Sequence, residues 1–256
     1  MRAPTDDPIV HTPHAPLTEY YADEGARSGF LRGIFDRTAP HYDRIESILA
    51  LGTGPWYRRQ ALIRAGLEEG MCIVDIGVGT GLVAREAARL TGNPELVVGV
   101  DPSPGMMANA ALPPGVRLVE GRAEAIPFPD ASFDMLSMGY ALRHISDLSV
   151  AFHEFFRVLK PGGRLCLLEI TRPTQAWSRA LMKVYMRGLV PLLARAAGGG
   201  AETARLWRYY WDTIDACAPP EKVLATLREA GFAGAIRHLE HGALPMLAEY
   251  QAVKPG

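Results

Sequence analysis

The sequence predicts an α/β fold in which a mostly parallel sheet carries helices on both faces. Two observations support this class: apolar runs alternate with helical patterns along the chain, and the first run ends in a turn with three alternating glycines. Such alternation produces parallel strands, because each helix returns the chain to the edge where the previous strand began. The 256 residues suffice for one such domain with additions, or at most two small domains.

The predicted elements follow each other in a regular order. Seven apolar runs are predicted to be strands, at 71–76, 96–100, 116–119, 133–138, 164–170, 235–239 and 246–253. Helices are predicted between them at 82–90, 105–111, 148–159 and 221–230, with a turn at 160–163. The helix at 221–230 follows two prolines and ends before a glycine, which are common boundary signals. We therefore expect one sheet that the last two strands complete.

Three segments lie outside this alternation. Residues 1–16 contain four prolines among polar residues and no periodicity, so we expect a disordered or loosely docked tail. Residues 17–67 have apolar residues at helical spacing and predict a helical cap before the first strand. Residues 171–215 predict a helical insertion over the substrate side. Residues 17–256 are interpreted as one domain.

The turn VDIGVGTG at 74–81 is the main functional signal. Glycine has no Cβ, so its backbone can adopt positive φ and let a ligand approach the main chain closely. A dinucleotide-binding turn would need a third glycine at position 82, where this chain has Leu82. Gly77, Gly79 and Gly81 alternate instead, a pattern that disfavours NAD. We interpret the turn as the site of another nucleotide cofactor.

Two acidic residues accompany the glycines. Asp75 precedes them, and the second apolar run ends in Asp101, twenty residues after Gly81. In nucleotide-binding α/β folds, an acid at the end of the second strand holds the ribose hydroxyls. A strand, a glycine turn, a helix and a ribose acid are therefore all present.

Composition excludes several function classes. The net charge of −1 provides no field to recruit nucleic acid. The three cysteines are odd in number, which favours reduced thiols in a cytoplasmic protein. No segment is long and apolar enough to span a bilayer, and the N-terminus lacks the apolar core of a signal peptide. No group of His, Cys and carboxylate residues has metal-ligand spacing, so we expect a metal-free reaction.

Four stretches together resemble one enzyme family. They are Phe35-Asp36 with Tyr42-Asp43, the glycine turn, AEAIPFPDASFD at 123–134, and ALRHISD at 141–147 followed by RVLKPGGR at 157–164. The chain resembles the ubiquinone and menaquinone C-methyltransferases, which methylate a ring carbon of a polyprenylated quinol. The FD and YD pairs and Leu142-Arg143 are the discriminating features, whereas the other motifs are specific for fold and cofactor only. The likeness is weakest from 175 to 209.

The resemblance implies a fold and a cofactor. The fold would be that of class I methyltransferases, a Rossmann-like, doubly wound, seven-stranded sheet with an antiparallel last strand. The cofactor would be S-adenosylmethionine (SAM), with S-adenosylhomocysteine as product and a lipophilic quinol as acceptor. The cofactor contacts carried over are Asp75, Gly77, Gly79, Thr80, Gly81, Asp101, Pro102, Met106, Arg122, Ala123 and Gly139. Two depart from the family pattern: Arg122 replaces Asp or Asn beside the adenine, and Gly139 replaces a hydroxyl residue.

Three residues are predicted to act in catalysis. Arg143 would stabilise a phenolate or hold a water that takes its proton, His144 would be the base, and Tyr42 would orient an acceptor oxygen. Each has a structural alternative. Arg143 would pair with Asp147 at a helix start, His144 would be an ordinary loop histidine, and Tyr42 would pack the N-terminal helices over the cofactor.

The segment at 172–195 is basic and amphipathic, with five Lys or Arg residues and no acid. Such a helix rests on an anionic membrane or forms a lid helix with a solvated basic face. The aromatic residues Trp207, Tyr209, Tyr210 and Trp211 follow and would line the substrate side or belong to the core.

Three functions stay open at this point. They are C-methylation of a quinol, methyl transfer to another small molecule, and SAM binding without transfer in a biosynthetic complex. The sequence also leaves the oligomeric state open, with a homodimer as one alternative.

Overall fold

The computed structural model describes residues 11–50, 52–173, 175–195, 200–240 and 246–256. These residues form a seven-stranded sheet in the order β3-β2-β1-β4-β5-β7-β6. The strands are β1 (Ile73–Ile76), β2 (Val97–Asp101), β3 (Arg117–Glu120), β4 (Phe133–Gly139), β5 (Leu159–Ile170), β6 (Ala233–Leu239) and β7 (Leu247–Val253). The pairs among β1 to β5 are parallel, and β7 runs antiparallel to β5 and to β6. The predicted α/β class and the antiparallel last strand are confirmed.

Helices cover both faces of the sheet. They are α1 (Glu24–Leu49), α2 (Gly54–Arg64), α3 (Leu82–Thr91), α4 (Pro104–Ala108), α5 (Leu148–Val158), α6 (Ala176–Val184), α7 (Val190–Ala194), α8 (Gly200–Ala216) and α9 (Pro220–Glu229). Strands β1 and β2 are buried along their whole length, as strands covered on both faces must be. A π-helical turn at Tyr185–Leu189 joins α6 to α7, so the predicted helical stretch at 176–214 is broken into shorter helices.

One local expectation is wrong. Residues 160–163 are part of β5 rather than a free turn, because a bulge lets Phe133 pair with Leu159 before the regular register begins at Met135 and Arg164. Residues 11–16, the described end of the expected tail, are docked. The carbonyl of His11 accepts from Leu148 N–H at 2.9 Å, and that of Pro13 accepts from Ala218 N–H at 2.6 Å. Residues 1–10 of that tail lie outside the described residues.

The long helix α1 lies across the carboxyl edge of the sheet and is tied to it by two carboxylates. Oδ1 of Asp36 accepts from Ser103 Oγ at 2.6 Å and from Gly105 N–H at 2.9 Å, at the start of α4. Oδ1 of Asp43 accepts from the hydroxyl of Thr80 in the glycine turn. Both loops that follow β1 and β2 are therefore held by the same helix.

We expect the Asp36→Ala variant to lower the free energy of unfolding by about 1–3 kcal/mol, because two donors at the start of α4 lose their acceptor. Urea unfolding followed by circular dichroism measures this change. Arg44→Ala, at an exposed position on the same helix, is the matched control and should change stability by less than about 0.5 kcal/mol. Equal stability of the two variants would contradict the role given to Asp36.

Candidate active site

The glycine turn has the backbone conformation that its sequence requires. Gly77, Gly79 and Gly81 have φ angles of +67°, +55° and +87°, a region that L side chains rarely adopt. A Cβ at Gly77 would lie 2.7 Å from the Cβ of Ala141. Gly81 precedes α3 and packs against Leu112 behind the turn, so this predicted cofactor contact does not line the cavity described below.

Asp75 is the penultimate residue of β1, and its carboxylate is buried beside the turn. Its Oδ1 accepts from Ser137 Oγ on the neighbouring strand at 2.8 Å. Burial raises the pKa of Asp75 to about 7, although the bonds from Ser137 and the backbone of Ala84 oppose the shift. A cationic ligand group at this carboxylate would restore its ionised form.

Asp101, the last residue of β2, binds the backbone of the glycine turn through its carboxylate. Its Oδ2 accepts from Gly79 N–H and its Oδ1 from Ser103 N–H, each at 2.8 Å. Burial raises the pKa of Asp101 to about 6 against these two bonds. Each oxygen retains a lone pair that a ribose hydroxyl can use.

These residues line one cavity beside the glycine turn. The predicted cofactor residues that line it are Asp75, Gly77, Gly79, Thr80, Asp101, Pro102, Met106, Arg122, Ala123 and Gly139. Of the predicted catalytic residues, Tyr42 and His144 line it and Arg143 does not. The structure thus brings most of the predicted site together.

The two departures from the family pattern have local explanations. Arg122 Nε lies 3.5 Å from Glu124 Oε2, so the Arg122 side chain forms an ion pair at the wall of the cavity. Glu120, the last residue of β3, pairs with Arg32 at 3.3 Å and does not line the cavity, so it is not placed to accept from an adenine amino group there. At Gly139, a Cβ would lie 2.6 Å from Cγ2 of Val83. The valine therefore fills the space that a hydroxyl side chain would need.

The acceptor half of the cavity is aromatic. The hydroxyls of Tyr42 and Tyr210 lie 2.8 Å apart, and the Tyr42 ring stacks on Trp207 at 6.2 Å between centroids. Burial raises the pKa of Tyr42 to about 12, so its hydroxyl stays protonated at neutral pH. Tyr209 and Trp211 of the same aromatic run are core residues. One part of the run thus lines the cavity, and the rest packs α8 against α1.

His144 lies between these rings. Its imidazole is 5.3 Å from the Phe35 ring and 5.7 Å from the Tyr209 and Tyr210 rings, measured between centroids. Neither ring nitrogen has a hydrogen-bond partner among the described residues. Burial and then the charge of Arg143 lower the pKa of His144 well below its ordinary value. His144 is therefore a neutral imidazole with an acceptor nitrogen available to a ligand.

Arg143 does not line the cavity, contrary to expectation. Its guanidinium is buried, forms an ion pair with Glu169 of β5, and donates to Thr213 Oγ1 at 3.2 Å. It also lies 5.5 Å from the centroid of the Tyr210 ring. The alternative pairing with Asp147 is wrong as well, because that carboxylate caps α5 by accepting from two backbone N–H groups.

The sequence analysis missed Arg58 and Glu46, which both line the cavity. They lie on α2 and α1 and form an ion pair across the link between these helices. Tyr140, whose ring centroid is 5.6 Å from the Arg58 guanidinium, adopts a φ of +60° that is unusual for a side-chain-bearing residue. The available signal was the pair of glycines between the helices: Gly52 has a φ of +75°, and Gly54 leaves space for the side chains of Arg58 and Glu46.

Comparison with known proteins supports a methyltransferase site. Residues 23–251 match the model of the ubiE/COQ5 methyltransferase family. A ubiquinone/menaquinone biosynthesis C-methyltransferase UbiE from a Marinomonas species is 30% identical, over 78% of this chain and 81% of that protein. A demethylmenaquinone methyltransferase from Roseiflexus castenholzii is 35% identical, over 80% of this chain and 86% of that protein.

A solved structure supports the fold in the same way. A SAM-dependent methyltransferase from Thermotoga maritima superimposes with a TM-score of 0.60 at 22% identity, over 87% of this chain and 99% of that chain. Among the described residues, no three His, Cys, Asp or Glu side chains are grouped to hold a metal ion, and the metal-free reaction stays a prediction. No helix in the described part of the chain has the length and apolarity needed to cross a bilayer.

The residues present fit SAM. Asp75 offers a buried carboxylate to its ammonium group, Asp101 offers lone pairs to its ribose, and the positive-φ glycines leave the backbone open to close approach. We expect affinity for S-adenosylhomocysteine to depend on pH, because Asp75 must lose its proton, with a pKa of about 7, before it can pair with the ammonium group. Affinity should be about tenfold lower at pH 6 than at pH 8, with proton release on binding.

Calorimetry in two buffers of different ionisation enthalpy measures both the affinity and the number of protons released. The Asp75→Asn variant should bind more weakly and lose most of the pH dependence in this window. The smaller dependence that remains would belong to Asp101, whose pKa is about 6. An affinity of the unaltered protein that is constant from pH 6 to pH 8 would contradict this assignment.

Proposed function

The chain belongs to the ubiE/COQ5 methyltransferase family, and we propose that it transfers the methyl group of SAM to a ring carbon of a lipophilic quinol. The observation that carries this proposal is the aromatic half-cavity beside the cofactor turn. Phe35 and Tyr210 lie against His144 there, and the Tyr42 hydroxyl bonds to that of Tyr210, so the walls suit a flat apolar ring with hydroxyl groups. The names of the two relatives, which refer to quinone biosynthesis, agree with such an acceptor.

Methylation of a ring carbon requires alignment and an electron-rich ring. Bound SAM supplies an electrophilic methyl group on a sulfonium, and the ring carbon must approach it in line with the carbon–sulfur bond. Tyr42 and Tyr210 would orient the ring through hydrogen bonds to its oxygen atoms. Tyr42, whose ring stacks on the buried Trp207 behind it, would help to exclude water from the reacting atoms.

His144 would accept the proton of the ring hydroxyl that activates the attacked carbon. Its lowered pKa makes it a weak base in the free protein. A weak base suffices because the hydroxyl becomes far more acidic as the new carbon–carbon bond takes electron density from the ring. The neutral acceptor nitrogen would polarise the hydroxyl at first and take its proton as the carbon–carbon bond forms and the carbon–sulfur bond breaks, with S-adenosylhomocysteine as the leaving group. The ring becomes aromatic again when the methylated carbon loses its hydrogen as a proton and the ring oxygen is reprotonated, so one proton is released overall. We expect a protein side chain, and not a metal ion, to promote the loss of this proton.

Arg143 would act as a positioning residue. Its guanidinium sits against the Tyr210 ring and pairs with Glu169, so it can hold Tyr210 in place and keep His144 neutral through its charge. The predicted direct contact with a phenolate is replaced here by an effect through these two cavity residues.

We further propose that α6 and α7 rest on the cytoplasmic surface of an anionic membrane, where a prenylated acceptor dissolves. The exposed fractions of Trp177, Leu181, Val184 and Leu192 are 63%, 52%, 70% and 64%, and their spacing of four, three and eight residues puts them on one helical stripe. The opposite side of the same helices packs on α8 through Met182, Met186 and Val190.

The charges around this apolar stripe fit the same partner. Arg179 pairs with Asp215 at 2.7 Å and remains about half exposed. Lys183 and Arg195 are exposed beside the stripe, and residues 172–195 contain no acid. An apolar stripe with a tryptophan and basic neighbours is typical of helices that lie in the interface of an anionic bilayer.

The reaction is tested with isotope-labelled SAM and a panel of demethylated naphthoquinols, benzoquinols, simple phenols and amines. We expect label on a ring carbon of a prenylated quinol. Label on an oxygen or nitrogen, or transfer only to other small molecules, would replace the quinol assignment. Cofactor binding without transfer to any acceptor would favour a non-catalytic SAM-binding protein.

The same assay tests His144. We expect His144→Ala to lower kcat by about 100-fold, a loss typical of a removed general base, with little change in affinity for S-adenosylhomocysteine. His153→Ala is the matched control because this histidine lies exposed on α5. An unchanged kcat in His144→Ala would remove His144 from the mechanism.

Membrane contact is tested by sedimentation with vesicles of phosphatidylcholine and phosphatidylglycerol. The protein should sediment with mixed vesicles at low salt and less with pure phosphatidylcholine, because the basic residues need anionic headgroups. Trp177→Glu should stay in the supernatant, whereas Trp56→Glu, at a tryptophan that is 57% exposed on α2, should sediment normally. Self-association lost in Trp177→Glu, without vesicle binding in the unaltered protein, would instead assign the stripe to a homodimer interface.

A further inference from the structure

We infer that Arg58 and Glu46 form, with Asp75, the subsite for the zwitterionic amino-acid end of the cofactor, in which Arg58 binds the carboxylate. This inference rests on the proposed function, because it concerns the binding of SAM and its product. The three residues line the same end of the cavity and come from α2, α1 and β1. Two of them belong to the helical cap rather than to the sheet.

Arg58 has donors that nothing in the described residues satisfies. Its side chain is 1% exposed, and Nη2 donates to Oε1 of Glu46. Its Nε and Nη1 are buried without a hydrogen-bond partner among the described residues. Buried guanidinium donors that are left unpaired are costly, and an arginine offers a fork that matches a carboxylate. The missing acceptor is expected to be an anionic ligand group.

The surroundings hold this guanidinium in place. Its Cζ lies 5.6 Å from the centroid of the Tyr140 ring, which reaches it from a residue with a φ of +60° at the end of β4. A Cβ at Gly54 would lie 2.6 Å from Nη1 of Arg58 and 3.0 Å from Oε1 of Glu46. Glycine at this position therefore leaves the space that the ion pair occupies. Unusual backbone conformations of this kind tend to persist at ligand sites.

The charges match an α-amino acid group. Arg58 and Glu46 neutralise each other, and Asp75 adds one buried carboxylate whose pKa the nearby Arg58 lowers against the effect of burial. In a bound zwitterion, the ammonium group would pair with Asp75 and the carboxylate would accept from the open donors of Arg58. A ligand without the amino-acid end would gain neither contact.

The test compares S-adenosylhomocysteine with 5′-methylthioadenosine, which has the same adenosine and thioether but lacks the amino-acid end. Calorimetry should show that Arg58→Gln weakens binding of S-adenosylhomocysteine by about 10–100-fold, as expected for the loss of a charge-assisted hydrogen bond. Binding of methylthioadenosine should change by less than about twofold in the same variant. Arg59→Gln, at an exposed neighbour on α2, is the matched control and should bind both ligands normally.

A second variant guards against misfolding. Arg58→Gln leaves Glu46 without its cation, so Arg58→Gln/Glu46→Gln removes both charges and should retain the melting temperature better while losing the same selectivity. Equal weakening of both ligands, or unchanged binding of both, would overturn the inference and leave the proposed function standing. If the unaltered protein binds neither ligand, the proposed function fails, and the inference fails with it.

Discussion

The anchoring of α1 across the two cofactor loops is the interaction on which the site depends. In both the Phe-Asp pair and the Tyr-Asp pair of α1, the acid binds the α/β core and the aromatic neighbour lines the cavity. Asp36 and Asp43 hold the loops after β2 and β1, whereas Phe35 and Tyr42 form walls of the cavity. The same helix therefore supplies aromatic walls of the cavity and binds the two loops that carry the predicted cofactor contacts. Loss of either carboxylate contact would loosen both binding sites together.

The two halves of the cavity differ in their electrostatics. The cofactor half contains ionisable groups whose pKa values are raised by burial, at Asp75 and Asp101. The acceptor half contains a neutral imidazole and phenols that stay protonated. A cationic cofactor and a neutral ring are thus each matched to their own region. Arg143, placed under the acceptor half without entering it, helps to keep that region uncharged.

The features that could be predicted from the sequence were those that depend on residues close together in the chain. The strand positions and the position of Asp101 follow from apolar runs and from a spacing that the α/β crossover imposes, and the glycine turn follows from backbone sterics. The partners of Arg143 and Arg58 could not be predicted in this way. Glu169 reaches Arg143 because β4 and β5 are neighbours in the sheet, and Glu46 reaches Arg58 because two helices cross. Similarly, residues 11–16 look like a tail in sequence, yet backbone bonds to α5 and to the residues before α9 dock them.

The contact between Gly139 and Val83 has a consequence for how this sequence can evolve. Because the valine methyl group occupies the space beyond the glycine Cα, a change from glycine to serine at 139 is sterically blocked while Val83 is present. A smaller residue at 83 would have to arise first, and it would leave only a small void until the serine followed. The two positions are thus expected to show epistasis with a fixed order of steps. A change from glycine to a hydroxyl residue at 139 would then be expected only in proteins in which residue 83 has already become smaller.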